Sequence, residues 1–408
     1  MDPRLRGYRL IQDPDVSIDR KQRQSRSVFF LCFLFSLTFL SFLFSLHYFK
    51  VNASTVQATT SKLELEVPTT PGPETSAPQY VGSTLDPDTE SKLLSWELCT
   101  CTSKKSGKHH NFCYTDPQNA NSIGKQFDCS SLKILEDLHL IDTPGPFVNL
   151  SQFPQESKKT VFVSAASDNH IQAAHRSIGG FYKHNPDGKY IFYSLDLPSN
   201  LMESLKNKFP QLEIRVFNTT GYPNYTNIWM EYRFKPLIIA EVMREFEYIW
   251  WLDSNIGVEK ENLVGVFGEE VEGFVKMGNA SPIYSFVYTA HGNFPVMFPD
   301  LLKYFPTNSI PLLKDEKHGA QLGANALFFS RTELGVQIVK WWVLCALDEK
   351  CMNPTGAQVY CSFKGNDRWT KFANCFRFDQ SVLNLLLLNQ YQDHNKYLSK
   401  HGEFFIRI

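Results

Sequence analysis

Asp253 and Asn255 form a short polar motif that closes an apolar segment. They follow Tyr248–Leu252, a run of aromatic and aliphatic side chains that predicts a buried strand. Strand ends are where open α/β sheets bind their ligands. A carboxylate is a ligand that Mn²⁺ and Mg²⁺ prefer, and it also accepts hydrogen bonds from hydroxyl groups. The neutral amide of Asn255 would bind a cation more weakly, and Asp253 could equally be a turn or helix-cap residue.

Asp379 and Gln380 form a second motif of an acid and an amide, late in the chain. They precede an apolar segment from 381 to about 391 that predicts a helix. There they could line a pocket, while Asp379 or Ser381 could also cap the helix. Between the two motifs, Asn325 ends a flexible Gly/Ala stretch, where it could bond a ligand hydroxyl or simply belong to a turn.

Strands and helices alternate in the region that must position these motifs. Short β-branched or aromatic runs separated by helical patterns predict an α/β fold with a mostly parallel sheet and helices on both of its faces. The predicted strands are 159–165, 189–195, 212–217, 248–252 and 325–330, and the predicted helices are 171–184, 201–209, 232–246, 332–347 and 381–391.

The amino-terminal region predicts a membrane anchor. Seven Lys or Arg side chains stand among residues 1–27, and residues 28–49 form an almost uninterrupted Phe/Leu run without a charge. An apolar run of about 20 residues can span a bilayer, and basic residues before it favour a cytosolic amino terminus. A cleaved signal peptide is the alternative, but its apolar region is usually about 7 to 15 residues long. We therefore expect a single-pass type II membrane protein.

Composition divides the rest of the chain into three parts. Residues 50–95 are rich in Ser, Thr, Pro and acidic side chains, which is typical of a disordered stem. Residues 96–150 contain four cysteines, and we expect them to form a small luminal subdomain. Residues 155–408 are enough for one large domain, and this domain holds both motifs.

Eight cysteines beyond the predicted span fall into two groups of four. An even count outside the cytosol predicts disulfides, and pairing within each group allows three connectivities per group. A zinc site in the first group is the alternative because His109 and His110 lie nearby, but this group has no Cys-x-x-Cys pair. The first group is Cys99, Cys101, Cys113 and Cys129, and the second is Cys345, Cys351, Cys361 and Cys375.

Five Asn-x-Ser/Thr sequons also lie beyond the predicted span, at Asn52, Asn149, Asn218, Asn224 and Asn279. Each is weak evidence alone, but together they are typical of a glycoprotein of the secretory pathway. Beyond residue 50 the chain has 38 acidic and 33 basic side chains. This balance lacks the basic excess expected of a nucleic-acid-binding protein.

Several segments, in order, resemble a nematode-expanded family of uncharacterised type II membrane proteins. The resemblance spans about residues 158–390 and implies a GT-A glycosyltransferase-like domain with a Rossmann-like sheet. The Trp-Trp-Leu-Asp-Ser and Asp-Gln-Ser pieces are also similar to those of retaining α-galactosyl and α-xylosyl transferases, although Asn255, Phe376 and Gly257 stand where that pattern has Asp, His and Arg. The segments are VFVSAASDNH at 161–170, YRFKP at 232–236, WWLD at 250–253, LCALDEKCMNP at 344–354 and NCFRFDQSVLN at 374–384.

The resemblance implies transfer of a hexose from a nucleotide sugar, UDP-sugars in particular, to a glycan or glycoprotein, with retention of configuration. Asp379 and Gln380 would act at the donor sugar, and Asp253 and Asn255 would hold the diphosphate directly or through Mn²⁺ or Mg²⁺. The other implied residues are His401 as a third metal ligand and Ser164, Asp168 and Asn325 as donor-binding residues.

Such an enzyme would act in the lumen of the Golgi or endoplasmic reticulum. The alternative is a catalytically inactive glycan-binding or interaction protein with the same fold, because Asn255 replaces a carboxylate.

Overall fold

The computed structural model describes residues 98–142, 145–156 and 159–408 of the chain. The predicted tail, span and stem, including Asn52, lie outside these residues. Within the described ranges, no helix is long and apolar enough to cross a membrane.

The strands are β1 (Thr100–Thr102), β2 (His109–Asn111), β3 (Thr115–Asp116), β4 (Asn119–Ile123), β5 (Thr160–Ala166), β6 (Tyr190–Ser194), β7 (Glu213–Val216), β8 (Tyr248–Leu252), β9 (Ile256–Val258), β10 (Ile283–Ser285), β11 (Tyr288–Gly292), β12 (Ala320–Leu322), β13 (Ala326–Ser330) and β14 (Phe405–Arg407). The α-helices are α1 (Leu132–Asp137), α2 (Phe153–Glu156), α3 (Ile171–His184), α4 (Ser199–Lys208), α5 (Phe234–Met243), α6 (Leu263–Lys276), α7 (Leu301–Tyr304), α8 (Glu333–Ala346), α9 (Glu349–Met352) and α10 (Asp379–Tyr391).

A six-stranded mixed sheet forms the centre of the fold, in the order β10-β13-β8-β5-β6-β7. Strands β8, β5, β6 and β7 are parallel, whereas β13 and β10 are antiparallel to their neighbours. Each strand predicted from the sequence is present, with ends that differ by at most about one residue. The prediction of an α/β fold with a mostly parallel sheet is therefore confirmed.

Side chains alternate along the strands and build an apolar core on each face of the sheet. The consecutive residues Trp250 and Trp251 are both fully buried, one in each core. The core around Trp250 is covered by α2, α3, α4 and α6, and the core around Trp251 by α5, α8 and α10. Nearly every side chain of α5 and α10 is buried, which explains why these helices are apolar on almost all sides.

The disulfide-rich segment 98–142 packs into the core that contains Trp251. Its Phe112 and Leu135 are fully buried there. The Nζ atom of Lys340, on α8, donates a hydrogen bond to the Asn111 carbonyl at 2.8 Å. This segment and the sheet therefore share one core.

All eight predicted cysteines form disulfides, and each pair lies within one of the two predicted groups. The prediction of disulfides is therefore confirmed. Zinc binding by the first group is excluded because its four sulfur atoms are bonded to one another. The pairs are Cys99 with Cys113, Cys101 with Cys129, Cys345 with Cys351, and Cys361 with Cys375.

Four of the five predicted helices begin one or two residues away from the predicted start, and two of these, α5 and α10, begin after a residue with positive φ. Helix α5 starts at Phe234, after Tyr232 with a left-handed φ of 55°. Helix α10 starts at Asp379, after Phe378 with φ 45° and ψ −115°, a conformation that favours glycine. Phe378, at the cap position of α10, makes no side-chain cap bond, but Ser381 Oγ accepts from the Arg377 amide at 3.2 Å, so part of the capping role considered for Ser381 is present. The Asp379 carboxylate lies next to Lys235 instead.

Candidate active site

A cleft of about 490 Å³ opens at the carboxyl edge of the parallel strands. Its walls follow three neighbouring strands, with 165–170 at the end of β5, 195–196 after β6 and 253–255 after β8. Residues of the loop before α5 form another wall. The volume lies in the range of small-molecule sites, roughly 300–1,000 Å³. The position is that of ligand sites in open α/β sheets.

The cleft has an acidic lining. Asp168, Asp196 and Asp253 belong to its walls, and the described lining residues include no lysine or arginine. A diphosphate would be repelled by these carboxylates at neutral pH. An anionic ligand would therefore need a cation bound with it.

Lys235 lies behind this lining and joins the two sequence motifs. Its side chain is 3% exposed, and its Nζ atom is 3.1 Å from Asp253 Oδ1 and 2.9 Å from Asp379 Oδ2. The same ammonium group donates to the Ala324 carbonyl at 2.9 Å. Two ion pairs and one hydrogen bond therefore surround the ammonium group.

Burial and charge change the proton affinities in this cluster. Burial raises the pKa of Asp379 to about 6, although the Lys235 ammonium opposes the rise. Burial alone would lower the pKa of Lys235, but the charges of Asp253 and Asp379 outweigh it and raise that pKa above its ordinary value. Lys235 is therefore charged at neutral pH, whereas Asp379 changes protonation just below it.

Asp253 is fixed by hydrogen bonds within its own strand and turn and to the residue before β13. Trp251 Nε1 donates to Asp253 Oδ1 at 2.7 Å. The Asp253 amide donates to the Asn325 carbonyl, and the Asp253 carbonyl accepts from the Ile256 amide, each at 2.8 Å. The backbone thus makes the turn considered from the sequence, while the carboxylate, with 30% of its side chain exposed, contributes to the cleft wall together with Asn255.

Gln380 belongs to a network of amides beside the cleft. Its Oε1 atom accepts from the Ala324 amide at 3.3 Å, and its Nε2 atom donates to Gln321 Oε1 at 2.7 Å. Among the described residues, neither Gln380 nor Asp379 is part of the cleft wall. Asp379 is connected to the wall through Lys235, which contacts Asp253.

The predicted donor-binding residues occupy different environments. Asp168 lines the cleft and begins the 3-10 turn that leads into α3. Ser164 is 1% exposed within β5, so its hydroxyl is in the core and away from the cleft. Asn325 contributes its carbonyl to the Asp253 turn, and its buried Oδ1 atom has no hydrogen-bond partner among the described residues.

His401 lies outside the cleft, near the carboxyl terminus. Its Nε2 atom is 3.8 Å from Glu270 Oε2, and its Nδ1 atom is 3.5 Å from Glu403 Oε1. The described lining of the cleft does not include it. The structure therefore does not bring His401 together with Asp253 and Asn255.

The cleft offers few ligands for a metal ion. Within the described part of the chain, no three His, Cys, Asp or Glu side chains are arranged to hold one. Asp253 and Asn255 both line the cleft, so its wall contains one carboxylate and one amide at the end of β8. Mg²⁺ is commonly held by one or two carboxylates together with substrate phosphates. The pair thus fits a cation that arrives with a phosphorylated ligand.

Three residues of the site were missed from the sequence: Lys235, Asp196 and Trp229. A lysine within the apolar segment of α5 was a usable signal, because a buried ammonium requires a partner. Asp196 follows the predicted strand 189–195 in the same way that Asp253 follows its strand. Trp229 lies in a loop whose path the sequence pattern does not reveal.

These features define an α/β protein with an acidic ligand cleft at the carboxyl edge of a mixed sheet. Residues 99–240, about a third of the chain, match a family model described as "Protein of unknown function (DUF1647)". This segment runs from the first disulfide-bonded cysteine into α5 and includes Lys235.

No curated protein matches the chain. A crystal structure of galactosyltransferase LgtC with donor and acceptor sugar analogs is 10% identical, with a TM-score of 0.28, over 55% of this chain and 70% of that one. An active-site mutant of LgtC is also 10% identical, with a TM-score of 0.29, over 55% and 69%. These values are too low for a functional comparison.

Proposed function

We propose that the protein is a retaining glycosyltransferase that moves a hexose from a nucleotide sugar, preferably a UDP-sugar, to a glycan or glycoprotein. The main support is the convergence of Asp253 and Asp379 on Lys235 behind an acidic cleft. Asp253 and Asn255 take the diphosphate side of the cleft. Asp379, which the sequence suggested would act at the donor sugar together with Gln380, supports this wall from behind through Lys235.

The proposed chemistry requires stabilisation of a leaving diphosphate. Negative charge grows on that group as the sugar bond breaks, and fixed dipoles or cations must offset it. A divalent cation at Asp253 and Asn255 would supply Lewis-acid stabilisation. Lys235 is buried and does not line the cleft, so its role is to hold Asp253 and Asp379 in place through its two ion pairs.

The test is donor binding by the purified full chain. UDP-glucose and UDP-galactose are titrated calorimetrically with and without Mn²⁺, and transfer of labelled sugar to a glycoprotein mixture is followed in parallel. We expect binding with Mn²⁺ and a loss of at least about tenfold in affinity for Asp253→Asn. The control is Asp137→Asn, because Asp137 is exposed on α1. Absence of binding under both conditions would sink the proposal.

A non-catalytic glycan-binding protein is the second candidate. The observation that favours it is the single carboxylate at the end of β8, where Asn255 provides only a neutral oxygen. This candidate predicts that the full chain binds glycans, but that it binds no UDP-sugar and releases no UDP. The titrations above separate the two functions.

We also propose that the protein is a type II membrane protein of the Golgi or endoplasmic reticulum, anchored by residues 28–49. Four disulfides support an oxidising lumen. The sequon residues Asn149, Asn218, Asn224 and Asn279 are all exposed, as a glycosylated residue must be.

A further inference from the structure

Asp196 connects two walls of the cleft through its carboxylate. Its Oδ1 atom accepts from the Asp168 amide at 2.8 Å, and its Oδ2 atom accepts from Trp229 Nε1 at 2.9 Å. Asp196 follows β6, whereas Trp229 belongs to the loop before α5. Hydrogen bonds to an ionised acceptor are stronger than those between neutral groups. The carboxylate therefore ties this loop to the ends of β5 and β6.

The loop that carries Trp229 is also held at two points away from the cleft. Tyr225 donates its hydroxyl to the Leu347 carbonyl at 2.6 Å. Arg233, which is fully buried, donates to the Ala346 carbonyl at 2.8 Å. Trp229 lies between these two anchors, so its bond to Asp196 fixes the part of the loop that forms the cleft wall.

This part of the loop gives the cleft an apolar rim. Ile228 and Met230 flank Trp229, line the cleft, and are 46% and 53% exposed. Apolar side chains in a ligand cleft favour contact with an uncharged part of the ligand, because that contact removes them from water. The acidic lining around Asp253 favours the part of the ligand that carries a bound cation.

We propose that Asp196 is a positioning residue that holds Trp229. It thereby places Ile228 and Met230, which form the apolar rim, where they contact the uncharged part of the ligand. The identity of that ligand as a nucleotide sugar rests on the proposed function. The hydrogen bond between Asp196 and Trp229 does not depend on the proposed function, and it can be tested without a ligand.

Asp196→Asn is the most direct test because it keeps the size of the side chain. The Asp168 amide and Trp229 Nε1 donate to different oxygens of the carboxylate. A carboxamide keeps only one of these oxygens, and its NH₂ group would face the other N–H donor. Trp229→Phe removes the same bond from the other side. The matched control is Asp187→Asn, since Asp187 is exposed and precedes β6 at the opposite edge of the sheet.

Hydrogen exchange of the ligand-free full chain measures whether the bond holds the loop. The Glu231 and Tyr232 amides donate to the carbonyls of Ile228 and Trp229. In Asp196→Asn and Trp229→Phe we expect these amides to exchange about tenfold faster, and in Asp187→Asn at the wild-type rate. Wild-type exchange in both loop variants would overturn the proposal.

Binding of UDP-glucose with Mn²⁺ then tests the role in the cleft. Removing a negative charge from an acidic cleft should by itself strengthen binding of an anionic ligand. We expect the opposite, an approximately tenfold weaker binding for Asp196→Asn and for Trp229→Phe. The double variant should be no weaker than either single variant, because both remove one interaction.

Tighter binding by Asp196→Asn, or additive losses in the double variant, would overturn the role in the cleft. If the wild-type chain binds no UDP-sugar, the proposed function fails, while the exchange rates still decide whether Asp196 holds the loop.

Discussion

The Lys235 ammonium lies 2.9 Å from the Asp379 carboxylate, and both side chains are almost completely buried. Asp253, at 3.1 Å, is the second carboxylate of this cluster and the one that reaches the cleft. The cluster carries one positive charge for two acids. Its stability therefore depends on the lysine, because two buried carboxylates without a cation repel each other and lose their hydration.

Replacement of Lys235 by methionine should destabilise the protein strongly. We expect a loss of roughly 3–5 kcal/mol in the free energy of unfolding, since breaking a buried ion pair leaves an uncompensated charge. Urea unfolding of Lys235→Met measures this loss. Adding Asp379→Asn to the variant should restore part of the stability, because one of the unpaired acids is then neutral.

Lys340 provides a matched control for this prediction. It is also a buried lysine, but it donates to the Asn111 carbonyl and lies 4.3 Å from the centroid of a Trp341 ring. Burial lowers the pKa of Lys340 to about 8. Lys340→Met should cost only about 1 kcal/mol, the typical value of one hydrogen bond. Equal losses in the two variants would show that the ion pairs of Lys235 contribute little.

The raised pKa of Asp379 predicts a specific dependence of stability on pH. Burial raises this pKa from 3.8 to about 6, so the folded state binds the proton more tightly than the unfolded state does. The resulting stabilisation is complete below pH 3.8 and is lost as the pH rises through about 6. The difference between the two pKa values corresponds to roughly 3 kcal/mol.

Asp379→Asn cannot ionise and should lack this part of the pH dependence. The free energy of unfolding of the variant, minus that of the wild type, should increase by up to about 3 kcal/mol between pH 4 and pH 7. Urea unfolding at intervals across this range gives both curves. Parallel curves would mean that Asp379 titrates at its ordinary pKa in the folded protein.

The sequence predicted five of the six strands of the central sheet and missed β10, which has only three residues. Strands β5, β6 and β8 are nearly continuous apolar runs, and such runs can be recognised without knowledge of their neighbours. Strand β14 was missed because it has three residues and pairs with β9, far away in the sequence. A pattern within one segment carries no information about such a partner.

The sequence predicted several residues of the candidate site that follow a strand. The end of β8 placed Asp253 and Asn255 in the cleft wall, and the end of β5 placed Asp168 there. The partner of Asp379 was not predictable, because the tertiary fold brings the first turns of α5 and α10 together. The same is true of His401, whose neighbours Glu270 and Glu403 are set by tertiary packing.

Two disulfides with loops of equal length should differ in their effect on ligand binding. Cys99 with Cys113 and Cys361 with Cys375 each join residues 14 positions apart. Loop-closure entropy predicts a stabilisation of about 3 kcal/mol for each. The second disulfide ends four residues before Asp379, so its removal should also loosen the start of α10.

Replacement of both cysteines by serine, in one disulfide at a time, tests this difference. Both double variants should lose similar amounts of unfolding free energy in urea. Only the variant at 361 and 375 should bind UDP-glucose with Mn²⁺ more weakly, by about tenfold. A similar loss of affinity at 99 and 113 would indicate a general loosening of the fold.

The proposed passage through the secretory lumen predicts glycans on the exposed sequons. Asn224 and Asn227 lie in the same 3-10 turn and are both exposed, but only Asn224 is followed by Thr at the second position. Asn224→Gln should remove one glycan and increase electrophoretic mobility, whereas Asn227→Gln should not. Peptide N-glycosidase treatment should abolish the difference. Equal mobility of the two variants before treatment would show that Asn224 is unmodified, and equal mobility of wild type before and after treatment would argue against a luminal location for this domain.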